Sequence, residues 1–346
     1  MFTSISGVDC DAVPSYFYCM KNITLVIPKG EISLGNIEAV TQIFTAVNDL
    51  LHEGGNAPAF EVQLASCERV NQIDKHIAIT VNRQLADVGA TDLIIVPSVQ
   101  GHLELLLERN LELIEWLKEQ RARGAEIAVL SLSAALLAET GLLNGKGCTS
   151  HWMIGEELKK RFPEIKLQLF KVFTDEDGLY TSAGGFSFLN LLLHLVEKET
   201  DREMALLISK IFEIDIDRNS QSPFIIFRGL KHHGDDPVIR AQEYIEANYK
   251  EKLTVDELAR KFLLGRRSLE RRFKKATENT VIEYIQRVKM EEARKSLESS
   301  QGSVHEIMAE VGYSDPKAFR EVFRKMVGLS PVEYRSMIGR QAPSES

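Results

Sequence analysis

The last third of the chain repeats itself at a spacing of about fifty residues, and this repeat restricts the fold more than any other feature of the sequence. Thr254-Val255-Asp256-Glu257-Leu258 matches Ser303-Val304-His305-Glu306-Ile307. Both copies open with Ser/Thr-x-x-Glu, in which hydroxyl and carboxylate reciprocally satisfy the free amides of a helix start. Downstream, Leu269 and Phe273 correspond to Phe319 and Phe323, followed by Lys274-Lys275 and Arg324-Lys325, and Tyr284 corresponds to Tyr334. The second copy carries one more residue in its turn. Two supersecondary units of one kind are therefore expected.

Each unit reads as a short capped helix, a tight break, and a second helix with one apolar stripe and one basic face, which is helix-turn-helix architecture. The first break lies near Leu264-Gly265 and the second at Gly312-Tyr313-Ser314, after which Asp315-Pro316 supplies N-cap and first-turn geometry. Such a helix fits the DNA major groove, where a bidentate Arg–guanine contact discriminates by about 1–3 kcal/mol. The expected base-edge residues are Arg266, Arg267, Ser268 and Arg271 in the first unit and Asp315, Lys317 and Arg320 in the second. Lys274, Lys275, Arg324 and Lys325 are expected at the phosphate backbone or as charged flanks. For any single basic residue a merely solvated helix face is an equal reading; two such faces at repeated positions favour a polyanion.

Between the units, Val281 to Leu297 carries apolar residues at helical spacing, a long helix suited to hold two recognition helices about one DNA turn, ~34 Å, apart. The formal net charge of -8 would argue against nucleic acid if it were evenly spread. It is not. Residues 237–346 hold 21 Lys+Arg against 17 Asp+Glu, a net of +4, which leaves 21 against 33, a net of -12, for residues 1–236. Only the C-terminal part attracts a polyanion.

Residues 237–336 resemble the AraC/XylS-type DNA-binding domain, in which two helix-turn-helix units are joined by a long helix. The matching residues are Leu258-Ala259, Arg267-Ser268-Leu269-Glu270-Arg271-Arg272-Phe273, Ala293-Arg294, and the run from Val311-Gly312-Tyr313-Ser314-Asp315-Pro316-Lys317-Ala318-Phe319 through Phe323 to Gly328-Leu329-Ser330-Pro331-Val332-Glu333-Tyr334-Arg335. Val281 stands where that family usually has a proline.

From Asn22 to about Phe188, short apolar runs alternate with longer amphipathic ones, the pattern of a mainly parallel sheet covered by helices. Strands are expected at 23–28, 60–65, 93–97, 126–130 and 166–170, and helices at 36–53, 103–122, 132–140, 153–161, 185–197 and 201–213. The fold class expected is a doubly wound, flavodoxin-like α/β domain followed by an all-α domain with two helix-turn-helix units. The domain reading is an extension outside the fold at 1–21, an α/β sensing or dimerisation domain at 22–215, a linker at 216–236, a DNA-binding domain at 237–340 and a tail at 341–346. The first nineteen residues lack a basic leader and a long apolar run, and no segment approaches the ~20 apolar residues of a membrane span, so a cytoplasmic, nucleoid-associated protein is expected.

Leu137-Ala138-Glu139-Thr140-Gly141-Leu142-Leu143-Asn144-Gly145, followed by Thr149-Ser150-His151-Trp152, resembles the PfpI-type, glutamine-amidotransferase-like domain of GlxA-like regulators, over roughly residues 22–215. In enzymatic relatives a cysteine sits on a sharp turn after the strand corresponding to 126–130, assisted by a histidine and often an acid. The resemblance puts Ser131 at that elbow, Asn36 at the acidic position, and Ser98-Val99 in place of the family's glycine pair. Three parts of a nucleophilic site are thus altered together, which points away from catalysis. Cys148, three residues from His151, is the remaining alternative nucleophile, against an inert structural thiol. Asn36, Ser131, His151 and Trp152 are expected to line a small polar effector pocket at the carboxyl ends of the strands, with simple packing as the competing reading.

Cys10, Cys19, Cys67 and Cys148 form no close C-x-x-C pair, and His232-His233 lack a third ligand nearby, so no metal, disulfide framework or cofactor is expected. The functional expectation is a sequence-specific transcription regulator that binds double-stranded DNA. A homodimer is implied by the resemblance, and RNA polymerase and a small-molecule effector are the further partners such a protein admits. The alternative is an amidase, deglycase or peptidase-like enzyme with the basic domain as a targeting module.

Overall fold

The computed structural model describes residues 20–73, 76–231 and 233–338. The chain divides into two compact units, Met1–Gln221 and Ser222–Ser346.

The first unit is built on a seven-stranded sheet. Its strands and helices are β1 (Lys21–Ile27), α1 (Leu34–Glu53), β2 (Phe60–Ser66), β3 (Val70–Gln72), β4 (Ala78–Thr80), β5 (Arg83–Gln84), β6 (Leu93–Val96), α2 (Leu103–Arg109), α3 (Leu111–Ala122), β7 (Glu126–Leu130), α4 (Ala134–Glu139), β8 (Gly147–Cys148), α5 (Gly155–Arg161), β9 (Lys166–Leu167), β10 (Phe173–Asp175), β11 (Leu179–Ser182), α6 (Phe188–Glu199) and α7 (Arg202–Ile211). The sheet order is β10-β11-β7-β6-β1-β2-β5, parallel throughout except for β10 against β11. Because alternate side chains of a strand point to opposite faces, Ile94 and Val96 enter a core with α2, α3 and α4 while Leu93 and Ile95 enter one with α1, α6 and α7. Both faces are covered, as a parallel sheet requires. The winding reverses between β1 and β6, which opens a crevice at their carboxyl ends.

This is the doubly wound α/β fold that the sequence pattern implies, with local departures. The stretch 166–170 alternates like a half-buried strand, yet only Lys166–Leu167 pairs, with β8 in a separate two-stranded sheet. The sheet is instead extended by Leu179-Tyr180-Thr181-Ser182, fully buried but half polar, so it has no apolar run to announce it. The helix expected over 103–122 is two helices, broken where Asn110 turns inward: its Oδ1 accepts from the Lys29 amide at 2.8 Å and its Nδ2 donates to the Lys29 carbonyl at 3.0 Å. Of the expected extension, residues 1–19 lie outside the described residues, and Lys21 already belongs to β1. The expected tail lies outside them as well.

The second unit is all helical: α8 (Asp236–Ala247), α9 (Val255–Lys261), α10 (Arg266–Thr277), α11 (Val281–Ser299), α12 (Val304–Glu310), α13 (Pro316–Val327) and α14 (Pro331–Met337). The repeat is deeper than its capping boxes. Val238, Ala241 and Ile245 of α8 close the first core at the spacing with which Met290, Ala293 and Leu297 of α11 close the second. Tyr284 donates to Glu246 at 2.6 Å, and its counterpart Tyr334 donates to Glu298. Each repeat is therefore a four-helix unit, and α11 serves both, as last helix of the first and first helix of the second. Four complete capping boxes, at Thr254, Thr280, Ser303 and Ser330, fix the starts of α9, α11, α12 and α14.

The segment 216–236, expected as a linker, is packed on both sides of the division. Ile216 packs on the α/β core, and Gln221 is buried with its Nε2 donating to the Ser150 carbonyl at 3.0 Å. Past the division, Pro223 is buried, Phe227 packs edge-on against Tyr284 at 5.2 Å, and the Leu230 carbonyl accepts from Gln242.

Candidate functional site

In α10, Leu269, Phe273 and Thr277 are buried at four-residue spacing, which turns Arg267, Arg271 and Lys274 to the opposite face. In α13, Phe319, Phe323 and Val327 do the same, leaving Lys317, Arg320 and Arg324 exposed at helical spacing. Among the described residues none of Arg267, Arg271, Lys275, Lys317, Arg320 or Arg324 forms a salt bridge. Each helix thus presents an outward cationic stripe, Arg267 and Arg271 on α10 and Lys317, Arg320 and Arg324 on α13, the arrangement that groove entry and phosphate contact require.

Other expected contacts are partly committed within the fold. Arg266 is held by Asp256 at 2.8 Å and Glu270 at 3.3 Å. Lys274 donates to the Glu278 carbonyl at 2.6 Å, satisfying the end of α10. Asp315 caps α13, its Oδ1 accepting from the Lys317 amide at 2.8 Å, and Ser268 is half-buried.

In the α/β unit the four expected pocket residues all follow carboxyl ends of parallel strands. Ser131, directly after β7, holds the left-handed conformation at φ 55°, and its carbonyl accepts from Ser150 Oγ at 2.7 Å. The sharp elbow is therefore present with serine on it. Asn36, buried at the first turn of α1, accepts from the Ser98 amide at 2.9 Å across the β1/β6 crevice. The His151 ring lies so close to Gly184, just after β11, that a Cβ there would fall 1.8 Å from it. His151 Nδ1 accepts from the Met153 amide at 3.2 Å, and the Trp152 ring lies 5.6 Å away. Partial burial lowers the imidazole pKa. Among the described residues Ser131 Oγ makes no hydrogen bond to His151 or Asn36, so the structure brings these groups to one edge of the sheet without assembling a nucleophile–base pair.

Cys148 is a core residue. It faces Ala138, Leu158, Phe162, Ile165 and Leu167, and burial pushes its thiol up to about 12, so no thiolate is available at neutral pH. His232 lies outside the described residues; His233 bonds Gln242 at 2.9 Å and accepts from the Asp235 amide. No group of three or more metal-capable His, Cys, Asp or Glu side chains occurs among the described residues. Gly184, Ser150 and Gln221 are site features to which the sequence reading assigned no role; a glycine directly after a buried strand is the signal that could have found Gly184.

Two family models match the chain: the DJ-1/PfpI family over residues 43–198 and the helix-turn-helix domain over residues 258–337. The chain thus joins a DJ-1/PfpI-type domain to an AraC-type helix-turn-helix domain. Among curated relatives it is 27% identical over 264 residues to the HTH-type transcriptional regulator GbdR of Pseudomonas aeruginosa, covering 75% of this chain and 70% of that one. It is 29% identical over 221 residues to the HTH-type transcriptional regulator ArgR of the same organism, covering 64% and 67%. Among solved structures, a THiJ/PfpI family protein from Pseudomonas syringae matches with a TM-score of 0.50 at 17% identity, covering 71% of this chain and 93% of that one. That likeness concerns the fold alone. Among the described residues no helix is long and apolar enough to cross a membrane.

Proposed function

We propose that this protein is a sequence-specific DNA-binding transcription regulator whose α/β unit is non-catalytic and serves dimerisation or small-molecule sensing in the cytoplasm. The carrying observation is the pair of repeat-related helices, α10 and α13, each with an outward cationic stripe and both anchored on the shared helix α11. At 1.5 Å per residue α11 spans about 28 Å, close to the ~34 Å that separates successive major grooves on one face of a duplex. One chain then reads two adjacent grooves. Arg267, Arg271, Lys317 and Arg320 face the bases, and Lys275 and Arg324 the phosphates; Arg266, Ser268, Lys274 and Asp315 border them. The names of the curated relatives support this reading, and RNA polymerase is a further partner consistent with it.

Asn36, Ser131, His151 and Trp152 are proposed to border the effector pocket, because Asn36 and Ser131 follow the carboxyl ends of β1 and β7 and His151, beside Trp152, lies against Gly184 after β11. The one observation favouring an enzyme is the left-handed elbow at Ser131; against it stand the missing Ser131–His151 hydrogen bond and the buried Cys148.

The test is a footprint of the full chain on its own upstream region at several salt concentrations. Binding is expected to weaken with salt by about 0.9 logarithmic units per decade for each phosphate neutralised, and Ser131→Ala is expected to leave it intact. Absence of a protected site, or a hydrolytic turnover abolished by Ser131→Ala, defeats the proposal.

A further inference from the structure

The two helix-turn-helix units meet at a seam on α11. Residues up to Val288 pack in the first core and residues from Met290 in the second, so Lys289 sits between them. Its side chain is buried, 7% exposed, and its Nζ donates to the Val311 carbonyl at 2.8 Å. Val311 ends α12 and opens the turn that leads into α13. The next residue, Gly312, holds φ 74°, and a Cβ there would fall 2.1 Å from the carbonyl oxygen of Lys250, in the loop between α8 and α9 of the first unit, and 2.7 Å from Lys289 Nζ. The turn before α13 is thus pressed onto the backbone of the α8–α9 loop, within the helical unit.

The repeat contains its own control. The residue equivalent to Gly312 in the first turn is Leu263, which also adopts the left-handed conformation, at φ 56°, and is 93% exposed. This turn therefore accepts a side chain in left-handed geometry, and its cost of about 1–2 kcal/mol is borne there. What demands glycine at 312 is the close approach of Lys250, and not the turn itself.

We infer that Lys289 and Gly312 are positioning residues that lock the register between α10 and α13, and so set the half-site spacing at which this protein reads DNA. Neither residue lies on a cationic stripe; they act by fixing where the second stripe stands relative to the first. A shift of the 311–313 turn re-aims α13 as a body, because Asp315 caps it two residues later. The inference rests on the proposed DNA-binding function.

Its test uses the full chain and a duplex selected by the wild-type protein from a random pool, together with versions carrying one or two base pairs inserted between the two protected half-sites. The wild type is expected to lose at least about tenfold in affinity per insertion, the scale of a lost base-pair contact. Gly312→Ala and Lys289→Met are expected to cut that discrimination to about threefold or less, with the salt slope on the selected duplex unchanged, because no phosphate contact is removed. Lys289→Arg, which keeps a donor for the Val311 carbonyl, is expected to restore at least part of it, and Leu263→Ala to behave as wild type. Circular dichroism separates a shifted register from an unfolded unit; should Gly312→Ala unfold, Lys289→Met carries the measurement. Variants that retain the wild-type spacing ratio, or that weaken every duplex equally, overturn the inference while leaving DNA binding in place. A wild-type protein that selects no sequence overturns the proposed function and this inference with it.

Discussion

Arg294, one of the residues that match the AraC/XylS-type domain in sequence, is committed inside the fold. Its guanidinium is buried, donates to the carbonyls of Pro223 at 2.8 Å and Ile225, reaches the Glu291 carboxylate at 3.3 Å, and lies over the Tyr334 ring. Planar donors aimed in several directions suit arginine and no other side chain. Arg294→Met keeps most of the volume but strands Glu291, whose carboxyl burial already holds above the usual carboxylate range against the pull of Arg294. Breaking such a buried pair costs about 3–5 kcal/mol. A carboxyl whose folded pKa is raised contributes nothing adverse below its unfolded value, and its penalty grows as pH rises through the folded one. The deficit of Arg294→Met relative to wild type, measured by urea unfolding of the full chain, is therefore expected to be largest at pH 7.5 and to shrink toward pH 5. A pH-independent deficit would remove Glu291 from the account.

At the scale of elements, the helices of the second unit were legible because their starts are chemically explicit. Each Ser/Thr-x-x-Glu in the repeat became a capping box, and the Asp315-Pro316 start was also readable. Strands that pair through mixed polar and apolar residues, such as Leu179–Ser182, were not legible, since their burial comes from neighbours distant in sequence. Side-chain commitments were equally hidden: Arg266 and Arg272 are as basic as Arg267, but acids forty or fewer residues away claim them. Asp235 caps α8 through the Val238 amide at 3.2 Å and also accepts a two-pronged contact from Arg272 of α10 at 2.9 and 2.7 Å. The Arg272 hydrogen bond comes first among the causes that hold its carboxyl below the usual range. Asp235→Asn keeps a capping oxygen and loses the charge, an expected cost of about 1–2 kcal/mol, and Asp235→Ala loses the cap as well, for about 1 kcal/mol more. Because a lowered carboxyl pKa contributes stability above its unfolded value and loses it as pH falls through the folded one, the Asn variant should close on wild type below about pH 4 in thermal melts. On the recognition helices, Arg320→Ala is expected to relax selectivity at one base position by about 1–3 kcal/mol, whereas Lys275→Ala should weaken all sequences alike and reduce the salt slope by about one. Binding-site selection with each variant checks the assignment, and matching effects from the two would undo it.

For the whole molecule, charge asymmetry and periodicity were enough to divide the chain into an acidic α/β part and a basic helical part, but not to find where one unit ends. The polar run Asn219-Ser220-Gln221-Ser222-Pro223 and the following histidines carry the composition of a free linker. The packing of this segment depends on partners 69 to 71 residues away in sequence: Gln221 is held by Ser150, and Pro223 and Ile225 by Arg294. Gly229, at φ 64°, lies where a Cβ would meet the Tyr284 hydroxyl at 2.2 Å, and Lys231 pairs with Glu246 at 2.6 Å. The segment 222–236 is thus part of the helical unit and runs over both of its cores. A fragment beginning at Ser222 and one beginning at Pro237 differ by this strap alone. Removing it takes away Phe227, exposes the ring of Tyr284 and leaves Arg294 without two of its acceptors. Loss of one large aromatic contact is worth about 2–3 kcal/mol, and with a slope of about 4–8 °C per kcal/mol for a domain of this size the shorter fragment is expected to melt at least ~10 °C lower. Equal melting temperatures would return the segment to the status of a passive tether.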